Sequence, residues 1–368
     1  MSDIGDLKIE ALSEDARPKT RKLVLRDVEI GGGAPVSVQS MTKCPTTDVD
    51  AVIAKTRELQ AAGCQIIRVA VPDEAAAEAV GDITKRSPIP VVADIHLDHK
   101  LALTVIEGGV DCVRINPGNM KRDQHLKAVA DAAKSAGIPI RIGINSGSLE
   151  QSLLRMYGGP TPQAMVQSAI LCINKFESWG FRDLKLSMKS HDVTDTVDAY
   201  LTISQITSYP LHLGITASGS GRTAIIKSAI GIGSLLLQGI GDTIRVSLAD
   251  DPLAEVEVAI EILRVLGLRS RGVEFVACPT CGRCKVNLLA HLETVKSKLS
   301  DLEADITIAV MGCVVNGPGE ARQADIGIAF ADDGTANLFR KGKRYASGAA
   351  EIAINRLIWD VKQTVRDV

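Results

Sequence analysis

The sequence lacks the features that would assign the protein to secretion, to a membrane or to nucleic-acid binding. Its first twenty residues, MSDIGDLKIEALSEDARPKT, contain no apolar core of a secretory signal. The longest apolar stretch, AIIKSAIGIGSLLLQGIG, is interrupted by Lys227 and Gln238, and it falls short of the roughly 20 apolar residues that span a bilayer. The formal charge of -2 shows no bias toward nucleic acid or an anionic membrane. We therefore expect a cytoplasmic protein with a loose polar tail over residues 1–20 and with neither nucleic acid nor a membrane as partner.

The cysteines lack the pairing that zinc sites usually show. ACPTCGRC carries Cys278, Cys281 and Cys284 at C-x2-C-x2-C spacing, and the next thiol is Cys313 in MGCVVNGPGE. Zinc commonly takes a second CxxC or HxxxH pair, and the intervening His291 is expected to be an exposed helix residue. Disulfides are rare in a reducing compartment. Three thiolates with one further donor favour an iron-sulfur site.

Eight short β-rich runs alternate with helix-length segments of 3.6-residue apolar periodicity. The runs are PVSVQS from 35, QIIRVAV from 65, PVVADIH from 90, CVRINPG from 112, PIRIGIN from 139, LKLSMKS from 184, LHLGITA from 211 and TIRVSL from 243. This alternation predicts a (β/α)8 TIM-type barrel. A doubly wound open sheet is the alternative, because sequence does not reveal strand order.

The pattern changes at both ends of this barrel segment. Before it, KLVLRDVEIGGG predicts a hairpin whose turn is supplied by the glycines and which plugs one barrel end. After it come the cysteine run, a helix, the strand DITIAVMG, a Gly/Pro turn, two further strands and a last helix. We therefore predict a tail over 1–20, a substrate-binding barrel over 21–270 and a small α/β cluster domain over 271–368.

Polar and mostly basic residues end the predicted strands, where a (β/α)8 barrel builds its active site. They are Arg68, Asp94, His96, Arg114, Asn116, Arg141, Asn145, Lys189, Arg245 and Ser247. Five cations at one mouth repel one another unless an anion lies between them, and guanidinium groups bind phosphate oxygens in pairs. The alternative is that some of them pair with acids in the barrel wall. We favour a phosphorylated substrate, and in particular a diphosphate.

These segments together resemble the hydroxymethylbutenyl diphosphate synthase family, the iron-sulfur enzymes of the methylerythritol phosphate route to isoprenoids. The resemblance runs from about residue 20 to residue 330. The segments that carry it are PVSVQSMT, VADIH, VDCVRINPGN, IPIRIGINSGSLE, PLHLGIT, KSAIGIG, GIGDTIRVSLADDP, RSRGVEFVACPTCGR and MGCVVNGPGEA.

The resemblance implies an activity and a set of partners. The activity is the two-electron reductive ring opening of methylerythritol cyclodiphosphate, with flavodoxin or ferredoxin as electron donor. It implies a homodimer with a cluster domain similar to that of sulfite and nitrite reductases. A 4Fe-4S cluster is then held by Cys278, Cys281, Cys313 and Glu320, the last also catalytic. The diphosphate and diol are held by Arg68, His96, Arg114, Asn116, Arg141, Asn145, Lys189, Arg245 and Ser247.

The sequence departs from the family pattern at four positions. Ala217 stands where the family has a candidate acid-base glutamate, and either Asp94 or Asp192 is a possible substitute. Lys43 and Cys44 replace residues near the end of the first barrel strand, where Lys43 adds a cation directed at phosphate, and Cys284 extends the cysteine run. Two rivals follow: a related reductase of another phosphorylated polyol or a homologue without turnover, and an electron carrier or iron sensor.

Overall fold

Parallel strands alternate with helices along most of the chain in the computed structural model, which describes residues 19–120, 122–216, 219–270, 272–302 and 304–366. The chain divides between Leu268 and Arg269 into two compact units. The assignment of these units to substrate binding and to cluster binding stays a prediction.

The first unit contains the predicted (β/α)8 barrel. Its eight parallel strands lie in the order β8-β7-β6-β5-β4-β3-β10-β9, and a bridge between Leu186 and Leu211 joins the two ends of that order. The ring excludes the doubly wound open sheet. The strands are β3 Ser37–Met41, β4 Ile66–Ala70, β5 Val91–Ile95, β6 Cys112–Ile115, β7 Ile140–Asn145, β8 Leu184–Lys189, β9 His212–Leu213 and β10 Thr243–Ile244. All eight predicted strands are confirmed, the last two as short pairs of residues.

Helices follow the strands, as the sequence periodicity predicts. In the described part of this unit they are α1 Val49–Ala61, α2 Glu74–Arg86, α3 His99–Glu107, α4 Asp123–Ala136, α5 Gln151–Tyr157, α6 Pro162–Ser178, α7 Val193–Ser204, α8 Gly221–Leu236 and α9 Pro252–Val265. No helix of the described residues, in either unit, is long and apolar enough to cross a membrane.

Local sequence sets where these elements begin and end. The Asp48 carboxylate accepts a hydrogen bond from the Ala51 amide at 3.0 Å and caps α1. Gly137 ends α4 in the left-handed region at φ 68°, which glycine adopts without steric cost. Along β7, Ile140, Ile142 and Ile144 join the apolar core under the helices. Since side chains alternate along a strand, the residues between them face the barrel interior.

A short hairpin closes the amino-terminal end of the barrel, as predicted. Strands β1 Leu23–Leu25 and β2 Val28–Ile30 pair antiparallel. Leu25 packs in a cluster with Ile66, Val92 and Cys112, at the starts of β4, β5 and β6.

The prediction that glycines supply this hairpin's turn is wrong. Arg26 and Asp27 lie at the turn, and Gly31 to Gly33 follow the second strand. Arg26 adopts φ 51°, which side chains other than glycine rarely do. Its guanidinium donates to Asp111 at 2.8 Å and to the carbonyls of Ser87 at 2.9 Å and Thr84 at 2.6 Å. These tertiary bonds, which the local sequence does not reveal, hold the turn.

The second unit is a five-stranded sheet with helices on both faces. Its strands, in sheet order, are β11 Val273–Ala277, β12 Ile306–Met311, β13 Ile326–Phe330, β14 Thr335–Arg340 and β15 Lys343–Ala349. Strands β11, β12 and β13 run parallel to one another, and β14 and β15 each pair antiparallel with the strand before. Its described helices are α10 Leu288–Leu299, α11 Gly317–Gln323 and α12 Ala350–Arg366. Helices α10 and α12 cover one face, while Ala321 of α11 packs on the other.

Two expectations for this unit are wrong. Three strands follow the Gly/Pro turn instead of two, because Lys341 and Gly342, both at positive φ, form a tight turn between β14 and the largely exposed β15. A strand this polar shows little apolar alternation. His291 is not a fully exposed helix residue, since its ring stacks on Phe330 with centroids 4.7 Å apart.

The hairpin plug should contribute measurably to the stability of the first unit. Leu25 is 1% exposed and Val24 is 50% exposed on the same strand. Leu25→Ala should lower the free energy of unfolding by about 2–5 kcal/mol, since it removes buried methyl groups and leaves a cavity. Val24→Ala, the matched control, should change it by no more than about 0.5 kcal/mol.

The measurement is urea unfolding followed by tryptophan fluorescence in a Trp359→Phe background. Trp179 is then the remaining tryptophan of the chain and reports on the first unit. Equal midpoints for the Leu25→Ala and Val24→Ala proteins would show that the plug does not stabilise the barrel.

Candidate active site

Five buried cations converge inside the carboxyl end of the barrel. Four lie on the strands, and the fifth follows β10 directly; they are Arg68, Arg114, Arg141, Lys189 and Arg245. The pKa of Lys189 lies well below its ordinary value, first because of burial and then because of the four arginines. Mutual repulsion of this kind requires that the charges lie close together. The structure therefore brings together the five cations that the sequence predicted.

Two buried carboxylates hold three of these cations. Asp94 accepts a hydrogen bond from Arg114 Nη1 at 3.0 Å and lies 3.7 Å from Arg68 Nε. Glu255 of α9 accepts from Arg245 Nη2 at 3.2 Å and from the Leu248 amide at 3.2 Å. The alternative that some arginines pair with acids thus holds for three of the five cations, Arg68, Arg114 and Arg245. Sequence reasoning missed Glu255, because a single acid inside an amphipathic helix carries no signal.

The two remaining cations have no carboxylate partner among the residues that the structure describes. Arg141 Nη1 donates a long hydrogen bond of 3.4 Å to Gln39 Oε1, and its Nε has no acceptor there. Burial and the neighbouring Arg114 lower the pKa of Arg141 to about 10. Arg141 and Lys189 therefore leave an excess of buried positive charge, which an anion would neutralise.

One glycine within β7 and one directly after β9 make room for these long side chains. A Cβ at Gly143 of β7 would overlap Arg114 Nε, and a Cβ at Gly214 would lie 2.9 Å from Lys189 Nζ. Close approach of a cation thus requires Gly143, whereas at Gly214 the Arg245 carbonyl, 2.7 Å from such a Cβ, is closer still. The glycines of RIGIN and HLGIT were the available sequence signal for this packing, and sequence reasoning passed over them.

Asp94 is ionised at neutral pH. Burial by itself raises the pKa of this carboxyl, but Arg68, a hydrogen bond with His96 and Arg114 together hold the pKa well below its usual range. The imidazole Nε2 of His96 lies 3.3 Å from Asp94 and 2.9 Å from Arg114 Nη1. Asp94 therefore positions cations and is not a proton donor near neutral pH.

The uncharged residues predicted at the mouth are placed differently from one another. Asn116 is buried, and its amide already binds the Ser148 hydroxyl at 2.8 Å and accepts from the Gly118 amide at 3.1 Å. It thereby fixes the loops after β6 and β7. Asn145 ends β7 and is half-buried, as is Ser247 beyond β10. His96 is half-exposed at the end of β5.

The departures from the family pattern have distinct surroundings. Ala217 lies outside the described residues. Lys43 donates to the carbonyls of Leu248, at 3.0 Å, and Asp250, and lies 3.3 Å from Glu255, so it is held by the loop before α9.

Cys44 is half-buried against the barrel core, and burial raises its pKa. The predicted substitute acid Asp192 caps α7 by accepting from the Asp195 amide at 2.9 Å.

In the second unit, the cysteines gather at one edge of the sheet. Cys278 follows β11 directly, and Cys313 lies just past β12, its parallel neighbour. Glu320 is exposed in the first turn of α11, which begins after Cys313. Carboxyl ends of adjacent parallel strands meet at the same edge. The predicted donor set therefore belongs to one region of this unit.

The backbone around Cys313 favours a thiolate. Its pKa is lowered, chiefly by backbone hydrogen bonds from the amides of Asn316 and Val315. Among the other described cysteines of this edge, Cys281 is exposed, and Cys278 and Cys284 are half-buried. Among the described residues, no three Cys, His, Asp or Glu side chains already lie close enough to hold a metal ion.

The fold and the site define a (β/α)8-barrel enzyme with an excess of buried positive charge at its mouth and a cysteine-bearing α/β unit after the barrel. The GcpE TIM-barrel domain matches residues 20–260, and the GcpE protein C-terminal domain matches residues 274–363. The chain belongs to the GcpE family. The family expected from the sequence motifs is thereby confirmed.

Curated relatives cover nearly the whole chain and share one name, 4-hydroxy-3-methylbut-2-en-1-yl diphosphate synthase (flavodoxin). The protein of Geobacter sulfurreducens is 52% identical over 89% of this chain and 92% of its own length. That of Caldanaerobacter subterraneus subsp. tengcongensis is 49% identical over 95% and 99%. That of Aquifex aeolicus is 48% identical over 95% and 98%.

Among solved structures, the dihydropteroate synthase of Yersinia pestis has a TM-score of 0.49 to this chain. It is 12% identical, over 67% of this chain and 97% of its own length. A likeness at that level supports no inference about activity.

Asp94→Asn should destabilise the first unit by about 3–5 kcal/mol at neutral pH, because it leaves buried arginines without their counter-charge. The folded-state pKa of Asp94 lies below its unfolded value of about 3.9, so its contribution is present above that pH and is lost as pH falls through the folded pKa. The stability difference between wild type and variant should therefore shrink below about pH 4.

The check is urea unfolding of both proteins between pH 7 and pH 3. Asp98→Asn is the matched control, since Asp98 is an exposed N-cap of α3 and asparagine caps equally well. A difference that stays constant down to pH 3 would contradict the lowered pKa assigned to Asp94.

Proposed function

We propose that this protein catalyses the reductive ring opening of 2-C-methyl-D-erythritol 2,4-cyclodiphosphate to 4-hydroxy-3-methylbut-2-enyl diphosphate. Two electrons and two protons enter, one C–O bond to phosphate opens, and one water leaves. The observation that carries the proposal is the excess of buried positive charge at Arg141 and Lys189, in a chain about half identical to synthases of this name.

The mouth residues bind and orient the diphosphate and the diol. They are Arg68, His96, Arg114, Asn116, Arg141, Asn145, Lys189, Arg245 and Ser247. Asp94 and Glu255 hold three of the cations before substrate arrives, so little reorganisation is needed on binding. Binding of an anion favours the charged form of Lys189 and so raises its pKa. Asn116 acts through the loop geometry that its side-chain amide maintains.

The cofactor is a 4Fe-4S cluster held by Cys278, Cys281, Cys313 and Glu320. Three observations support the fit: these residues share one edge of the sheet, the donors are three thiols and one carboxylate, and backbone amides point at the Cys313 sulfur. When bound, such a cluster supplies one-electron transfer and a Lewis acid, and a carboxylate is a more weakly held ligand than thiolate. Glu320 is then the ligand that can exchange.

Two rival functions receive less support. An electron carrier or iron sensor has no use for buried cations that find no carboxylate among the described residues, since such cations lower stability. A related reductase of another phosphorylated polyol, or a homologue without turnover, finds no support in the names of the relatives. The names of the relatives specify flavodoxin, which we take as the electron donor, and ferredoxin is the alternative. A homodimer and a cytoplasmic location stay predictions.

The test is product formation from methylerythritol cyclodiphosphate by anaerobically reconstituted protein with a strong one-electron reductant. We expect reductant-dependent hydroxymethylbutenyl diphosphate from the wild-type chain. Cys313→Ser should lose bound iron, visible absorption and turnover together. Cys172→Ala, which removes a buried thiol of α6, is the matched control and should keep its iron. Protein with a full cluster and no product would refute the proposed activity.

A further inference from the structure

Cys281 and Cys284 close a tight turn. The Cys284 amide donates to the Cys281 carbonyl at 2.9 Å, across Gly282 and Arg283. The first and last Cα atoms of such a turn lie within about 7 Å of each other. A disulfide needs a Cα separation of about 4.4–6.8 Å. The backbone therefore already places these two cysteines at the separation that a disulfide requires.

The two thiols differ in accessibility. Cys281 is exposed, whereas Cys284 is half-buried. The Cys284 sulfur lies against Gly312, where a Cβ would overlap it, and its thiol donates to the Val286 carbonyl at 3.4 Å. An exposed thiol beside a sheltered one is the arrangement in which the first reacts with a disulfide oxidant and the second resolves the mixed disulfide. C-x-x-C spacing is typical of such redox pairs.

We propose that Cys281 and Cys284 form a reversible disulfide when the chain carries no cluster. This inference rests on the proposed function in one respect. There Cys281 is a cluster ligand, so a bound cluster blocks the reaction. Cys284, which is not among the proposed cluster ligands, is then the resolving thiol. The pair stores Cys281 in a form that resists further oxidation until reduction makes it available for cluster assembly.

The chemistry balances with a small-molecule disulfide such as glutathione disulfide as oxidant. The Cys281 thiolate attacks one sulfur, forming a mixed disulfide and releasing one glutathione. The Cys284 thiolate then attacks the Cys281 sulfur and displaces the second glutathione. Two protein thiols are oxidised, one glutathione disulfide is reduced to two thiols, and the two protons pass to the released thiolates.

The neighbouring thiols are placed less well for this reaction. Cys313 is buried, and its sulfur is surrounded by the backbone amides of residues 315 to 317. Cys278 packs partly against the apolar clusters on both faces of the sheet. Between Cys278 and Cys281, Thr280 adopts φ 52°, so that segment does not repeat the conformation of the Cys281–Cys284 turn.

The experiment uses the full chain, free of cluster and fully reduced, in anaerobic glutathione buffers of increasing disulfide content. After acid quenching and thiol blocking, trypsin cuts behind Arg283 and separates the two cysteines unless a disulfide joins them. Mass spectrometry should find one dominant link, Cys281 to Cys284, which dithiothreitol removes. A dominant link from Cys281 to Cys278 or Cys313, or no link under oxidising conditions, would overturn the proposal.

Two variants separate the resolving role of Cys284 from the general reactivity of the other thiols. Cys284→Ser keeps a donor for the Val286 carbonyl and should accumulate the Cys281–glutathione mixed disulfide. Cys44→Ser, a half-buried thiol of the other unit, is the matched control and should form the link as wild type does. A Cys284→Ser protein in which Cys281 stays fully reduced under oxidising glutathione would also overturn the proposal.

The cluster-loaded chain distinguishes failure of this inference from failure of the proposed ligand set. We expect the link to form at least about tenfold more slowly while the iron is retained, because a thiolate bound to metal is not free to attack. Equal rates with iron retained would support the pair and refute Cys281 as a ligand. Absence of the link from the cluster-free chain would refute the pair alone.

Discussion

The barrel mouth holds more buried positive charge than its own carboxylates neutralise, and much of the surrounding structure follows from that imbalance. Removing a cation from water costs several kcal/mol unless a partner compensates. Asp94 and Glu255 compensate for three of the five cations, while Arg141 and Lys189 find no carboxylate among the described residues. Stability is thus given up at the barrel mouth, where the proposed function places the substrate.

The charge imbalance also limits how protons move in the mouth. Asp94 is kept ionised by its arginines, and Asp192 is occupied as a helix cap, so neither replaces the glutamate that the family pattern has where this chain has Ala217. Burial and the four arginines lower the pKa of Lys189, and a bound anion would favour its charged form. In the proposed function, electrons enter through the other unit, where thiol and carboxylate donors share one sheet edge.

Part of this arrangement could be predicted from the sequence, because strand periodicity and the carboxyl-end rule for barrels place Lys189, the last residue of β8, without knowledge of tertiary contacts. Arg141 is only the second residue of β7, so that rule does not place it. Glu255 could not be placed, since its partner lies on another element. The hairpin turn at Arg26 was missed for the same reason: its strain is compensated by carbonyls some sixty residues away in sequence. The polar strand β15 was missed because little apolar alternation marks it.

The most direct test of the account is calorimetric binding of methylerythritol cyclodiphosphate to wild type and to Arg141→Met, with the unfolding free energy of both. The account predicts that Arg141→Met is at least as stable as wild type and binds about 10- to 100-fold more weakly, since a hydrogen bond to a charged group contributes about 1.5–3 kcal/mol. Lys127→Met, which removes an exposed cation of α4, should bind as wild type does. An Arg141→Met protein that is destabilised and yet binds normally would show that this arginine serves the fold and not the substrate.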